Sequence, residues 1–275
     1  MPDTKHKNFH FWHYNGREWE NRSAPVIVEK PVSITVNGEP WLSLRCTPTD
    51  LKALALGFLY NEGIINTASE VADIRPCPSG DNVDVWLHHT VARPTSWQRT
   101  SGCTGGVTSH TEASDLASPA PALYNGVLIT TGQVGHLIAE LFDAQDLYRS
   151  SGGVHTSALS DGQTLRVIAE DIGRHNTLDK IAGRMLLEGQ NFSPRILLTT
   201  GRVSSEMLQK SARLGASIVI SRTSPSSFSL EMAEKWRITL IGYARRNQFN
   251  VYTQPQRLLD DSKTRIMPNK SKTTS

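Results

Sequence analysis

Cysteine is scarce in this chain. There are three among 275 residues, Cys46, Cys77 and Cys103, and no two are spaced as Cys-x-x-Cys. An odd, widely spaced set builds no disulfide framework. Nor does it supply the Cys-x-x-Cys that a catalytic zinc of the deaminase kind needs. Long apolar runs are missing too. No stretch approaches the ~18–20 residues that a membrane span needs. The opening MPDTKHKNFHFWHYNGREW has no apolar core of the secretory kind. A cytoplasmic protein with no membrane partner is expected. An excess of charge of one sign is also lacking. The net charge is +3, and it sits at the ends. Residues 254–275 carry five basic against two acidic side chains and residues 1–25 four against three, which leaves the body at −1. A near-neutral body offers no nucleic-acid face. The sequence shows no internal repeat and no heptad array.

What is present divides the chain. Residues 1–25 read as a flexible polar leader. Residues 254–275 read as a disordered basic tail, too poor in apolar residues to join a core. Residues 26–100 read as a small α+β domain. Strand patterns VIVE and VSITV flank Lys30-Pro31, Asn37-Gly38 is a turn signal, and Trp41 to Cys46 can return as a hairpin. Leu51, Leu54, Ala55, Phe58 and Leu59 then recur at helical spacing, with Thr49 as the cap and Gly63 as the stop. Two further strands are expected at Val71–Ile74 and Val83–Leu87. Residues 101–122 read as a polar loop or linker with two prolines. From 123 to 253 strands alternate with helices, which predicts an α/β layered sheet. Its strands are expected at Val154–Leu159, Leu165–Glu170, Ile196–Thr199, Ile218–Ser221, Ile238–Tyr243 and Phe249–Tyr252. Its helices are expected at Gly135–Phe142, Thr177–Leu187, Ser205–Leu214 and Ser227–Lys235.

Cys103 is the residue whose surroundings ask for an explanation. In Arg99-Thr100-Ser101-Gly102-Cys103-Thr104-Gly105-Gly106 it has no apolar neighbour before Val107. A structural cysteine prefers an apolar pocket. Glycines let a backbone approach a ligand closely, and a nearby arginine favours the thiolate. The alternatives are a reactive thiol and an inert loop cysteine. A second set of candidates follows from topology. In α/β sheets ligands bind beyond the carboxyl ends of strands. Three polar loops fall there: EDIGRHN with Arg174 and His175, where Asn176 can cap the next helix, TTGRVSSE with Arg202, and SRTSPSS with Arg222. Ordinary caps and turns would look the same. Arg245-Arg246-Asn247-Gln248, between the last two strands, is either a polar turn or a pyrophosphate clamp. His155 invites a metal reading. Position 157 is Ser where a zinc deaminase has Glu, so a strand histidine near the core is the better account.

The stretches VEKPVSITVNG, TPTDLKALALGFLYNEGII, SGCTGG, SSGGVHTSAL, EDIGRHNTLDKIAG, TTGRVSSEMLQKSARLGA and ITLIGYARRNQFNVYT follow one another from about Val26 to Thr253. Together they resemble the FdhD family of formate dehydrogenase accessory sulfurtransferases. The resemblance implies a cytidine-deaminase-like C-terminal α/β domain without zinc and a cytoplasmic homodimer. It implies that sulfur arrives as a persulfide from a cysteine desulfurase. That sulfur passes to the molybdenum cofactor, bis(molybdopterin guanine dinucleotide), of the formate dehydrogenase catalytic subunit. It maps the persulfide onto Cys103, and cofactor binding onto Tyr243, Ala244, Arg245, Arg246, Asn247 and Gln248. The chain departs from the pattern at Gly106, where members carry the second cysteine of a Cys-x-x-Cys. Two other readings stay open: a cofactor-binding chaperone that transfers no sulfur, and a deaminase-type hydrolase.

Overall fold

The computed structural model describes residues 5–95, 97–99, 107–108, 126–261 and 265–266. Its first element corrects the expected leader. Strands β1 (His6–Tyr14) and β2 (Trp19–Ile27) pair antiparallel as a hairpin. Its turn is tightened by Asn15, whose side-chain oxygen accepts from the backbone N–H groups of Arg17 and Glu18. Aromatic residues favour a pleated pair, and Tyr14 and Trp19 face one another at its tip.

β3 (Lys30–Val36) and β4 (Glu39–Cys46) form the expected hairpin. Asn37 and Gly38 both take positive φ, which the two-residue turn demands. With β5 (Val71–Pro76) and β6 (Asn82–Leu87) they make a four-stranded sheet in the order β4-β3-β6-β5. α1 (Leu51–Asn61) packs on it. Its cap is Asp50 in a left-handed conformation, not Thr49. The Thr49 hydroxyl accepts instead from Lys180 Nζ at 3.1 Å, a tertiary bond that overrides the local capping preference.

β7 (Gln98–Arg99) and β8 (Val107–Thr108) pair antiparallel, so the chain on either side of residues 100–106 is brought together. Cys103 itself lies outside the described residues.

The second domain is built on a six-stranded sheet. Its strands are β10 (His155–Ser160), β11 (Leu165–Asp171), β12 (Ile196–Thr199), β13 (Ile218–Ser221), β14 (Thr239–Arg245) and β15 (Gln248–Val251). The order is β11-β10-β12-β13-β14-β15, with β12, β13 and β14 parallel. β12 and β13 are buried at every residue, as strands covered on both faces must be. α4 (Arg174–Leu187), α5 (Ser205–Arg213) and α6 (Ser227–Lys235) share a core with one face. α2 (Thr131–Asp143) shares a core with the other, and the short α3 (Asp146–Ser151) follows it. Chain that reads as tail belongs to this domain. β9 (Ile129–Thr130) and β16 (Leu258–Asp260) pair in parallel, with β17 (Arg265–Ile266) alongside. Leu258 is fully buried, so the ordered domain runs past 253.

The domains are joined through α1 and α4, whose backbones nearly touch. A β-carbon on Gly57 would overlap the Asp179 carbonyl, and one on Gly183 the Ala53 carbonyl. Two buried ion pairs lie beside this crossing. Lys180 pairs with Asp171 at 2.7 Å and donates to the Thr47 carbonyl. Lys210 holds both oxygens of Asp179, at 2.6 and 2.8 Å, while Asn61 of α1 donates to the same carboxylate.

Candidate functional site

β11, β12, β13 and β14 end on the same edge of the six-stranded sheet, and antiparallel β10 begins there. The three loops expected at that edge are therefore neighbours. The second and third are also stitched together. Arg222 N donates to Thr199 O at 2.9 Å, Ser221 Oγ to Gly201 O at 2.8 Å, and Val203 N to Ser224 O at 3.2 Å. Val203 and Pro225 form a parallel bridge.

Asp171 organises the first loop. Its carboxylate accepts from the N–H groups of Gly173 and Thr47, at 2.8 and 3.1 Å, and from Asn176 Nδ2 at 2.8 Å. This corrects the expected start of α4. Asn176 does not cap a helix at Thr177, because Asp171 and the Arg45 carbonyl hold its side chain. The helix begins at Arg174, after Gly173. His175 is buried, with Nε2 3.4 Å from Ser204 Oγ. Burial first, and then Lys210 and Arg174, hold its pKa well below the usual histidine range. His155 is half-buried at the start of β10, 3.5 Å through Nδ1 from Thr200 Oγ1. Burial and then Arg174 lower its pKa too. Both rings are neutral near pH 7.

Two cavities open at this edge. The larger, about 590 Å³, is walled by Phe142, Tyr148, Val154, His155, Thr200 and Arg222 among others. The Arg222 guanidinium lies 5.9 Å from the Phe142 ring centroid. Here aromatic faces, a cation and hydroxyls meet, a set that suits a planar polar ring. The smaller, about 270 Å³, is lined by Arg174, Arg202 and several serines. The four strand-end residues singled out in the sequence thus share an edge but not a pocket. Arg222 faces the larger cavity, Arg174 and Arg202 the smaller, and His175 is buried in α4 behind them.

Tyr243–Gln248 is the turn from β14 into β15. Tyr243 N donates to Thr223 O at 2.9 Å, which sets the turn beside the larger cavity's rim. Tyr243 has φ +53° and an exposed ring. Ala244 is fully buried in the core against α2, so its side chain is structural. Arg245, Arg246, Asn247 and Gln248 are exposed. The Arg246 carbonyl packs against α2 at Gly135. The larger cavity's Phe142, Tyr148 and His155 carry no sequence signal as a group. They come from three elements that only the fold joins.

Of the other cysteines, Cys46 is buried, and burial pushes its thiol up to about 12. Cys77 is half-buried, donating to Asp81 Oδ1 at 2.9 Å. At pH 8 the Cys46 thiolate fraction is roughly one in ten thousand, so it is a poor attacking group. In the native protein at pH 8, iodoacetamide should label Cys103 and spare Cys46 until denaturant is added. Native labelling of Cys46 at the rate of Cys103 would contradict its burial. Among the described residues no group of three or more His, Cys, Asp and Glu is placed to hold a metal. No helix among them is long and apolar enough to cross a membrane.

The FdhD/NarQ family model matches residues 27–259. The chain belongs to that family. An FdhD relative from Bacillus pumilus, named sulfur carrier protein FdhD, is 34% identical over 261 residues, 94% of this chain and 99% of its own length. The relative of the same name from Bacillus subtilis is 33% identical, over 90% of this chain and 95% of its own. A solved structure from Desulfotalea psychrophila, assigned as a formate dehydrogenase accessory protein, superposes with a TM-score of 0.77. It is 29% identical and covers 93% of this chain and 100% of that one. The FdhD/NarQ match takes in Cys103, both cavities and the 243–248 turn.

Proposed function

We propose that this chain carries sulfur on Cys103 and delivers it to the guanine dinucleotide form of the molybdenum cofactor, for a formate dehydrogenase. The observation that carries the reading is the match across residues 27–259 to proteins named as sulfur carriers. The strand-end cavities and their arginines support the cargo. In loading, the Cys103 thiolate attacks the outer sulfur of a cysteine desulfurase persulfide. The donor's S–S bond breaks, its cysteine leaves as a thiolate, and a Cys103 persulfide forms. Gly106 removes the neighbouring thiol that could release this sulfur by closing a disulfide. Cys46 is buried and protonated, so it does not replace that thiol. Release therefore falls to an external thiol. It attacks the inner sulfur, forms a mixed disulfide with Cys103 and expels hydrosulfide toward the metal. The molybdenum centre is cargo here, and the chain's own residues bind its nucleotide ends. The partners are the desulfurase, the formate dehydrogenase catalytic subunit and, as a homodimer, a second copy.

The test is reconstitution from the purified chain, a desulfurase, cysteine, a thiol and sulfur-free formate dehydrogenase. Formate oxidation should appear only when all are present. Equal activity without this chain would reject the reading. A chaperone that moves no sulfur would activate the client without desulfurase or cysteine.

The exposed arginines of the turn give a narrower expectation. Guanidinium forks bind phosphate oxygens and guanine edges in ways that lysine cannot. Arg245→Ala with Arg246→Ala should weaken GDP binding by about tenfold or more. Wild-type affinity should also fall as salt rises, because exposed charges are screened. Loading of Cys103 should be unchanged. Calorimetry at two salt concentrations reads both effects, and equal GDP affinities would remove the turn from the binding site.

A further inference from the structure

The hairpin of β1 and β2 is unlike the rest of the molecule. Its base is seated on the body, where a β-carbon on Gly153 would stand 3.0 Å from Ile27 Cγ2. Beyond that base it carries the densest group of exposed aromatic rings among the described residues. Phe9 is 54% exposed, Phe11 41%, Trp12 66%, Tyr14 52% and Trp19 66%. No third described strand joins the pair. A two-stranded ribbon alone is marginally stable in water, and a third strand or a cover is what steadies it.

The two outer edges of the ribbon differ. Val28 N donates to Lys5 O at 2.9 Å, and Asn15 N to Glu18 O at 3.2 Å. Bonds alternate along an antiparallel pair. Lys7, Phe9, Phe11 and His13 therefore bond across to β2, while Asn8, His10, Trp12 and Tyr14 turn their backbone N–H and C=O groups outward. On β2 the outward positions include Asn21, Ser23 and Pro25. Pro25 has no N–H, so it interrupts that edge, as proline does on guarded edge strands. β1 has no proline, and its edge is continuous.

Charge and area narrow the partner. On β2 Arg22 is paired with Glu20 at 2.7 Å. β1 carries one full charge, Lys7, near its start. Such a strand makes no demand for an acidic partner. A second β1 running antiparallel would meet rings with rings and set the two lysines at opposite ends. Five aromatic side chains of ~150–250 Å² each, about half exposed, offer roughly 500 Å² per chain. Two copies reach about 1,000 Å² from the rings alone, the scale at which a specific interface begins. Pairing of like edges closes on itself, and Pro25 stops growth through β2.

Resting on the homodimer proposed above, we infer that β1 is its contact. Two copies pair antiparallel through this strand into a four-stranded sheet of order β2-β1-β1-β2, with the aromatic rings packed across the seam.

Sedimentation velocity on the full chain over a range of concentrations tests this. His10→Pro removes one outward N–H and spares the bonds to β2, as Pro25 does on the other strand. Ser23→Pro does the same to the outer edge of β2 and serves as the control, and melting curves verify folding. The wild type should be a dimer. His10→Pro should weaken it about thirtyfold, because symmetry removes the bond from both copies. Trp12→Lys should be monomeric wherever the wild type is dimeric, since each copy loses a ring and gains a charge. Ser23→Pro should dimerise as the wild type does. On dimerisation hydrogen exchange should slow at the Asn8 and Trp12 amides and not at Asn21 or Ser23. A dimer of wild-type affinity in both His10→Pro and Trp12→Lys would overturn the contact and leave the homodimer to another face. Equal weakening by Ser23→Pro would overturn it as well, because the β1 edge would then have no special part. A wild-type chain that stays monomeric would overturn the contact and the proposed homodimer together.

Discussion

Replacing Cys103 with alanine should reduce persulfide loading to background and abolish client activation, with little change in thermal stability. Its sequence neighbours are Gly102, Thr104, Gly105 and Gly106, with no apolar side chain to form a pocket. Loss of a thiol in such a setting should alter stability by less than ~1 kcal/mol. The chemical effect should be total, because the other two thiols cannot substitute. Cys46 is buried with its thiol pushed up to about 12. Cys77 is tied into the turn before β6, where its sulfur donates to Asp81 and accepts from the Asn82 N–H. The measurement is formate oxidation after reconstitution with wild type or variant, beside matched melting curves. Full activation by Cys103→Ala would mean that sulfur travels by another route.

The second large effect is structural. Gly183→Ala should destabilise the protein by about 3 kcal/mol, near the upper end of overpacking costs. On helix propensity alone the change should stabilise, since alanine exceeds glycine by ~1 kcal/mol in a helix interior. Here overlap decides the sign. The added carbon meets the Ala53 backbone, which cannot swing aside as a flexible side chain can. Separating α1 from α4 also strains the bonds that span the crossing, from Asn61 to Asp179 and from Lys180 to Thr47. Urea unfolding reads the loss. A variant as stable as wild type would mean the helices can part at no cost, contrary to the close crossing.

Much of the sheet was legible. Ile196–Thr199 and Ile218–Ser221 are short apolar runs between turn signals, and the strands have those same ends. Ser227–Lys235 carried its cap in Ser226, whose side chain accepts from Ser229 N. α4 starts earlier than the sequence pattern predicts, because capping preference is local while Asn176 is held from a distance, by Asp171 and Arg45. The first 25 residues hid a usable signal. Asn15-Gly16 between two aromatic runs is a hairpin pattern, and the polar composition masked it. Charge dominates the end of the chain as sequence, although Leu258 is apolar and pairs with Ile129 across nearly half the sequence. The site was legible as an edge, through the strand-end rule. Its division into two cavities was not. That depends on which way Arg202 and Arg222 point from loops tied through Val203 and Pro225.

The central claim, that sulfur rides on Cys103, is tested most directly by intact-mass analysis of the wild-type chain after incubation with a cysteine desulfurase and cysteine, followed by peptide mapping. The account predicts one added sulfur atom, located on the peptide that contains Cys103 and removed by a reducing thiol. No added sulfur, or sulfur found on Cys77 or Cys46 instead, would contradict it.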